Sequence, residues 1–260
     1  MILLSKTDIG LFFNFIFVSL FILTIYGFTK SKLTEQYTKE FKNKIIAPLI
    51  HFIEPTLIYK KDKYIDKETF ILSKIETEPI SNYLGSDFVY GTIDGVNIKF
   101  SQLNVSVKKA DDSSLVLWGL FIVAEFPKHF QAHTIVYSKN GRPLGKGAPA
   151  KEYKKITMDS PLFNDAFIVY STDEVEARYI FSHTLMERVL EYNQKIEYPL
   201  VLSFIDGNIY IAYNGGEILT PTLQRSLFKL EVASSYSDIL HFAISVVGSL
   251  RLDLKLWSKY

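Results

Sequence analysis

The stretch DFVYGTIDGVNIKF, residues 87–100, contains the clearest local signal for the fold. Two runs rich in β-branched and aromatic residues, 88–93 and 96–100, flank the dipeptide Asp94-Gly95. Asp-Gly favours a type I′ turn, whose twist matches that of two adjacent antiparallel strands. We therefore predict a β-hairpin here. The alternation of Leu103, Val105 and Val107 predicts that its second strand continues with one face buried.

Further strands are predicted along the rest of the chain. Residues 115–124 are apolar at every position, which is typical of a central strand covered on both faces, and we expect residues 133–138 to be its partner strand. Residues 166–170 form another strand-like run. The dipeptide Asp206-Gly207 lies between two more such runs and predicts a second hairpin.

Three helices are predicted among these strands. Thr172 is placed as the N-cap of one helix, in which Glu174 and Arg178 have the spacing of a favourable ion pair. Ser182 is placed as the cap of the next helix, and residues 234–250 predict a buried one. Because strands and helices do not alternate regularly, the predicted fold class is α+β. We expect a curved, mainly antiparallel sheet of seven to nine strands, with helices packed on one face or inside its curve.

An uncharged run of twenty residues begins at Ile9 and ends at Phe28. A helix of this length is about 30 Å long, which matches the hydrocarbon core of a bilayer. A cleavable signal peptide would have a shorter apolar region and a small-x-small cleavage site, and neither is present. We therefore predict one transmembrane helix over residues 9–28, preceded by a short tail, residues 1–8.

Positive charge is concentrated after this run. Five lysines, at positions 30, 32, 39, 42 and 44, follow it, whereas Lys6 precedes it beside Asp8. The positive-inside rule then places the carboxyl-terminal body in the cytoplasm. The prediction is a single pass through the bilayer, with the body on the cytoplasmic side.

A helical connector is predicted between the anchor and the body, over residues 29–56. Leu33, Tyr37, Phe41 and Ile45 recur every four residues, and Pro48 should end or kink the helix. Two interpretations remain open for this helix: it lies on lipid through its apolar stripe, or it packs on its own domain. Residues 57–260 are then one soluble α+β domain.

Composition excludes several kinds of chemistry. The chain has no cysteine, so it contains no disulfide, thiolate metal site or thiol nucleophile. With a net charge of +1, the protein has no overall positive potential that would attract nucleic acid, and no nucleic-acid partner is expected. His129 and His133 have the spacing of two metal ligands on a helix, but their region is predicted to enter a strand. The sequence of residues 141–147 lacks the spacing of a phosphate-binding P-loop.

A set of landmarks in one order resembles a bacterial family known as domain of unknown function 3137. They are Phe41-Lys42, Pro48-Leu49-Ile50, Pro55, Tyr59, Asp87-Phe88-Val89-Tyr90-Gly91, Trp118-Gly119-Leu120-Phe121, Ala124-Glu125-Phe126-Pro127-Lys128, Thr134-Ile135-Val136, Phe167-Ile168-Val169-Tyr170-Ser171, Glu176-Ala177-Arg178-Tyr179 and Leu185-Met186-Glu187-Arg188.

This resemblance covers most of the chain after the anchor. It implies a bacterial membrane protein in which amino-terminal hydrophobic segments precede a soluble α+β body. With the predicted orientation, the expected location is the bacterial inner membrane. Typical members have two such segments, whereas this chain shows one. The resemblance implies no activity, ligand or catalytic residue for this chain. No catalytic, cofactor-binding or metal-binding residue is therefore assigned, and no cofactor is expected.

Basic residues are the candidate site. Two groups could meet an anionic leaflet, where each charge near the surface contributes about 1 kcal/mol. They are Lys30, Lys32 and Lys39 after the anchor, and Lys139, Arg142, Lys146, Lys151, Lys154 and Lys155 in a predicted mobile loop. The other interpretation of the loop is that its lysines only keep it soluble.

Three functions are considered. The first is a non-enzymatic, membrane-anchored binding or scaffolding module at the cytoplasmic face, whose partner is a protein or anionic lipid. The second is an enzyme of unknown class, whose site would be a deep pocket lined by several carboxylates or histidines. The third is a structural subunit of an envelope complex, which would expose an apolar patch on its body.

Overall fold

The computed structural model describes residues 6–109, 112–125, 131–139, 150–195, 198–217 and 219. Its helices are α1 (Lys6–Phe41), α2 (Ala47–Ile53), α3 (Lys67–Leu72), α4 (Pro161–Ala166), α5 (Glu174–Ile180) and α6 (His183–Lys195), and a π-helical turn (Lys42–Ile46) joins α1 to α2. Its strands are β1 (Ile58–Lys60), β2 (Ile80–Ile93), β3 (Val96–Lys109), β4 (Asp112–Glu125), β5 (Thr134–Ser138), β6 (Lys154–Ile156), β7 (Phe167–Ser171), β8 (Leu200–Ile205) and β9 (Asn208–Tyr213). The predicted helix over residues 234–250 lies outside the described residues.

The strands form one open antiparallel sheet in the order β1-β2-β3-β4-β9-β8-β5-β7-β6. The nine strands of the described part of the chain, with the packed helices, confirm the predicted α+β class. The edge strands β1 and β6 have three residues each. Both predicted hairpins are present, and Asp94, Gly95, Asp206 and Gly207 all have the positive φ that a type I′ turn requires.

The predicted pairing of β4 with β5 is wrong. β4 lies between β3 and β9, whereas β5 lies between β7 and β8. Burial of β4 on both faces holds for residues 120–124, but Leu115 and Trp118 are 47% and 43% exposed. The sequence predicts that β4 is central, but its apolar run does not identify the neighbours.

Hydrophobic cores lie on both faces of the sheet, which corrects the expectation of helices on one face. Alternate residues of β4 show this, because Leu120 and Ile122 belong to one core cluster and Phe121 and Val123 to the other. The first core includes side chains from the π-helical turn, α2, α4, α5 and α6. The second is covered by α3, whose Phe70 ring lies 5.0 Å from that of Phe121.

One of the two predicted helix caps is present, and the other is shifted by one residue. Ser182 accepts a hydrogen bond from the Leu185 N–H at 3.3 Å, as predicted. The cap of α5 is Asp173 rather than Thr172, since the Asp173 side chain accepts from the Glu176 N–H. Glu174 and Arg178 form the predicted ion pair at 2.9 Å.

The connector is helical up to Ile53, but its predicted stripe is only partly buried. Phe41 is buried, whereas Leu33 and Ile45 are 68% and 44% exposed. The exposure of Ile45 follows from the π-helical turn, in which the Ala47 N–H donates to the Lys42 carbonyl. One extra residue per turn rotates the following side chains by about 100°. Lys42 and Ile46 are thereby buried in place of Ile45.

The run predicted as an anchor has a helical backbone within α1. Among the helical residues that the structure describes, no stretch is both long enough and apolar enough to cross a membrane. The side chains of residues 9–19 and of Ile22 lie outside that description. The transmembrane helix therefore stays a prediction from the sequence.

Candidate functional site

A buried ion pair joins the end of the long helix to the sheet. Lys42, in the π-helical turn, places its Nζ 2.6 Å from Oδ2 of Asp87, and their side chains are 10% and 0% exposed. Asp87 lies where the register of β2 shifts between Ser86 and Val89, with φ +61°. Its N–H donates to the Lys61 carbonyl at 3.0 Å. The bulge therefore turns the carboxylate toward the helix without leaving its amide unpaired.

Two hydroxyl groups complete the surroundings of this carboxylate. Tyr59 donates to Oδ1 of Asp87 and Ser86 donates to Oδ2, each at 2.5 Å. Burial, with the negative charge of Asp87 beside it, raises the pKa of Tyr59 well above its usual value. Both oxygens of Asp87 thus have donors, and a buried charge of this kind is tolerated only when it is paired and hydrogen-bonded. The arrangement holds the helix on the sheet.

An open groove of about 400 Å³ lies on the sheet at the β2–β3 turn. Its walls come from β2, β3 and the end of β4; the lining residues are Phe88, Tyr90, Gly91, Thr92, Asn97, Ile98, Lys99 and Glu125. Phe88 and Tyr90 are stacked, with ring centroids 5.2 Å apart. The groove falls within the size range of ligand sites, which is roughly 300–1,000 Å³.

Polar side chains form a ladder across the end of the groove. Thr92 Oγ1 donates to Asn97 Oδ1 at 2.9 Å, and Asn97 Nδ2 donates to Glu125 Oε2 at 3.2 Å. Lys99 lies opposite Tyr90 in the register, and Lys60 of β1 places its Nζ 5.2 Å from the centre of the Tyr90 ring. The groove therefore combines an aromatic pair, one ammonium group and one carboxylate, and the ammonium group of Lys60 lies beside it.

His133 contacts a tyrosine at the other half of the sheet. Its Nδ1 lies 3.1 Å from the Tyr153 hydroxyl, and burial lowers the pKa of His133. The other histidine of the metal-like pair, His129, lies outside the described residues. Within the described ranges, no group of three or more histidine and acidic side chains has the geometry to hold a metal ion.

The predicted basic residues fall into two separate places. Lys30, Lys32 and Lys39 are exposed on α1, where Lys32 Nζ lies 4.7 Å from the centre of the Phe28 ring. Lys139, Lys151, Lys154 and Lys155 are exposed near the β6 edge, and Lys139 Nζ donates to the Asn164 carbonyl at 2.5 Å. Arg142 and Lys146, with most of the predicted mobile loop, lie outside the described residues.

These two basic groups belong to different ends of the sheet. The helical segment that follows α1 packs near β1, and β6 is the opposite edge strand. Eight strand spacings of about 4.8 Å separate the two edges by roughly 38 Å. Among the described residues, the lysines of the two groups therefore belong to different edges of the sheet. Whether either group contacts lipid stays a prediction.

Sequence reasoning missed the Lys42–Asp87 pair, although both residues stood among the family landmarks. In the sequence, Lys42 is one of five lysines that follow the anchor, and Asp87 precedes a strand without any signal of burial. One clue was present. Asp is tolerated at positive φ, and a polar residue entering an aromatic strand is a candidate for a β-bulge.

The family model for a protein of unknown function, DUF3137, matches residues 115–252. This is more than half of the chain, so the chain belongs to that family. The match begins at Leu115, and the landmarks from Phe41 to Gly91 lie outside it. No curated protein matches the chain.

One solved structure is similar at low identity: the crystal structure of the mycobacterial trehalose monomycolate transport factor A, TtfA. The identity is 11%, and the similarity covers 72% of this chain and 88% of that one, with a TM-score of 0.39. A likeness of this degree carries no argument about function.

Proposed function

We propose that this DUF3137 protein is a membrane-tethered, non-enzymatic binding module whose body lies on the cytoplasmic side. The supporting observation is the surface of α1. Six large apolar side chains of this helix are between 49% and 64% exposed: Leu20, Phe21, Leu23, Ile25, Tyr26 and Phe28. An exposed apolar band of this size is unfavourable in water. Together with the uncharged sequence of residues 9–28, it favours lipid as the surrounding medium.

The connection between α1 and the sheet supports a rigid tether rather than a flexible one. Helix α1 runs without interruption to Phe41, and the π-helical turn that follows is held on the sheet by Lys42 and Asp87. Residues 29–41 would extend about 20 Å beyond the apolar run, at 1.5 Å per residue. The body would then be carried at a fixed distance and orientation from the bilayer.

The groove favours binding over catalysis. An active site would be expected to bring together several titratable groups with perturbed pKa values. The described groove is lined by one carboxylate, Glu125, which Asn97 already contacts, and by one lysine, Lys99. Aromatic rings with a few polar groups are typical of a recognition surface.

Membrane retention of charge variants tests the tether. We expect the double variant Leu20→Lys/Phe21→Lys to leave the carbonate-resistant membrane fraction, since each lysine near mid-membrane costs about 2.5–3.5 kcal/mol. Leu33→Lys is the matched control, because Leu33 is exposed on the same helix beyond the apolar run. It should remain in the membrane fraction. Extraction of the wild-type chain by carbonate would contradict the proposal.

Orientation can be measured with single cysteines, because the chain has none of its own. A membrane-impermeant maleimide should label Ser5→Cys in intact spheroplasts, and Lys151→Cys only after the membrane is permeabilised. Lys151 is exposed, so its substitution leaves the core unchanged. Labelling of Lys151→Cys in intact spheroplasts would place the body on the other side of the membrane.

A further inference from the structure

The three longest strands extend beyond the rest of the sheet. β2, β3 and β4 have 14 residues each, whereas β9 pairs with β4 only from Leu120 to Glu125. The extension consists of residues 80–85, 103–109 and 112–119, and we call it the arm. One face of the arm belongs to the second core, where it packs against Phe70 of α3.

The other face of the arm is open and partly apolar. Leu84, Asn104 and Trp118 lie opposite one another in the register and therefore share this face. Leu115 is on it as well, because its partner Ser106 is two residues from Asn104. Leu84, Leu115 and Trp118 are 57%, 47% and 43% exposed. Large apolar side chains grouped in this way are typical of a surface that another segment covers.

The chain reaches this face where its described part ends. The Trp118 N–H donates to Oδ1 of Asn214, and the Gly216 N–H donates to the Trp118 carbonyl, both at 2.8 Å. Gln102, on the same face as Trp118, donates from Nε2 to the Gly216 carbonyl at 2.7 Å. Leu219 is buried in the first core. The rest of the chain therefore begins at the border of the open face.

The remaining sequence contains a segment that requires such a surface. The helix predicted over residues 234–250 has apolar residues around most of its circumference: Ile239, Leu240, Phe242, Ala243, Ile244, Val246 and Val247. Its polar stripe is narrow and consists of Ser234, Asp238, His241 and Ser245. A helix of this kind is stable when most of its surface is buried. It would be about 25 Å long, which is close to the length of the arm strands, roughly 20–26 Å.

We infer that the predicted helix over residues 234–250 packs on the open face of the arm, against Leu84 and Trp118, with its polar stripe toward solvent. Position selects this occupant, because the preceding residues 220–233 start beside the face and can span up to about 46 Å. The family match includes both parts, since it begins at Leu115 of the arm and continues to residue 252. The inference goes beyond the proposed tether and does not depend on it.

Cysteine cross-linking of the full-length protein in membranes tests this inference, because the chain has no cysteine of its own. Leu84→Cys is combined in turn with a cysteine at each position from 239 to 247, and a short bis-maleimide is added. Mass spectrometry should detect a cross-link within one chain, with a yield that peaks every three to four positions. Positions 241 and 245, on the polar stripe, should give at least about fivefold less.

Thr92→Cys is the matched control for Leu84→Cys. Thr92 is exposed on the same strand, about 27 Å from Leu84, and should give at least about fivefold less product with every partner position. Equal yields from Leu84→Cys and Thr92→Cys would overturn the inference. Cross-links that form only between copies would also overturn it, because they would assign the face to a second chain.

Quenching of Trp118 by acrylamide gives a second measure of the cover. In a Trp257→Phe background, Trp118 is the one remaining tryptophan. Ile239→Lys/Ile244→Lys places a charge on two apolar sides of the helix and should raise the Stern–Volmer constant at least about twofold, with an unchanged circular dichroism spectrum. Ser245→Lys, on the polar stripe, is the matched control and should leave quenching unchanged. Equal quenching in the two variants would contradict the inference.

Discussion

Two ion-pair regions of this protein have nearly the same geometry and very different surroundings. Lys42 and Asp87 lie 2.6 Å apart, with side chains 10% and 0% exposed. Arg178 lies 2.9 Å from Glu174 and 2.6 Å from Asp159, and the three side chains are 35%, 56% and 83% exposed. The ion-pair distances are therefore similar in the two regions. What differs is the exposed fraction of the side chains.

This difference in burial indicates in which region the stability of the fold depends on an intact ion pair. A solvated pair gains little, because water and salt screen it and two long side chains lose freedom. A buried pair gives little net stability as a whole, yet removing one partner leaves a charge in an apolar environment. The Lys42–Asp87 junction should therefore be far more sensitive to single substitutions than the Arg178 cluster. The predictions that follow test this contrast.

The largest effect is expected from Asp87→Asn, which leaves Lys42 without its carboxylate. The loss should be about 3–5 kcal/mol of unfolding free energy, measured by urea denaturation in micelles. Asn tolerates the positive φ of this position, so backbone strain does not add to the loss. The double variant Lys42→Met/Asp87→Asn removes the unpaired charge and should recover most of the stability. A double variant as unstable as Asp87→Asn would show that the pair acts through geometry rather than charge.

Tyr59→Phe is expected to have the next largest effect. It removes one hydrogen bond to the buried carboxylate, and a loss of about 1–3 kcal/mol is expected at neutral pH. Ser86 and Lys42 still donate to Asp87, which is why the loss should be smaller than in Asp87→Asn. Equal losses in the two variants would contradict the ranking.

The pH dependence of stability gives a second measure of Tyr59. Its pKa is raised in the folded protein by burial and by Asp87, so above pH 10 the unfolded chain releases a phenolic proton that the folded one retains. The contribution of Tyr59 is fully present below about pH 10 and is lost as the pH rises further. Wild-type stability should therefore fall between about pH 10 and 12. Tyr59→Phe should show a shallower fall than wild type over this interval.

The smallest effect is expected from Glu174→Gln in the exposed cluster. Arg178 keeps its contacts with Asp159 and the Thr157 carbonyl, so the midpoint of unfolding should stay within the error of the measurement. Addition of 1 M NaCl should abolish any difference from wild type, since the screening length is then about 3 Å. A loss comparable to that of Asp87→Asn would refute the comparison.

Most of the predictions that the structure confirms rest on local sequence signals. The two Asp-Gly turns set both hairpins because the required φ values are a property of two residues. The cap at Ser182 and the Glu174–Arg178 pair are equally local. The π-helical turn could not be predicted from the spacing of Leu33 to Ile45, because it buries Lys42 against Asp87 of a distant strand.

Long-range choices could not be predicted in the same way. The pairing of β4 with β9 rather than β5 joins residues about ninety positions apart, and an apolar run does not identify its neighbour. The Lys42–Asp87 contact also spans 45 positions. The groove was missed because its lining comes from three strands, and no single stretch of sequence contains it.

The two short edge strands have a consequence for crowding. An open sheet exposes unpaired backbone groups at its edges, where a second chain can add a strand. A protein restricted to a surface meets its own copies far more often than one free in solution. Here each edge has three residues, and lysines occupy both of them, Lys60 in β1 and Lys154 and Lys155 in β6. If the protein is tethered to a membrane as proposed, like charges on facing edges would repel neighbouring copies and oppose their aggregation.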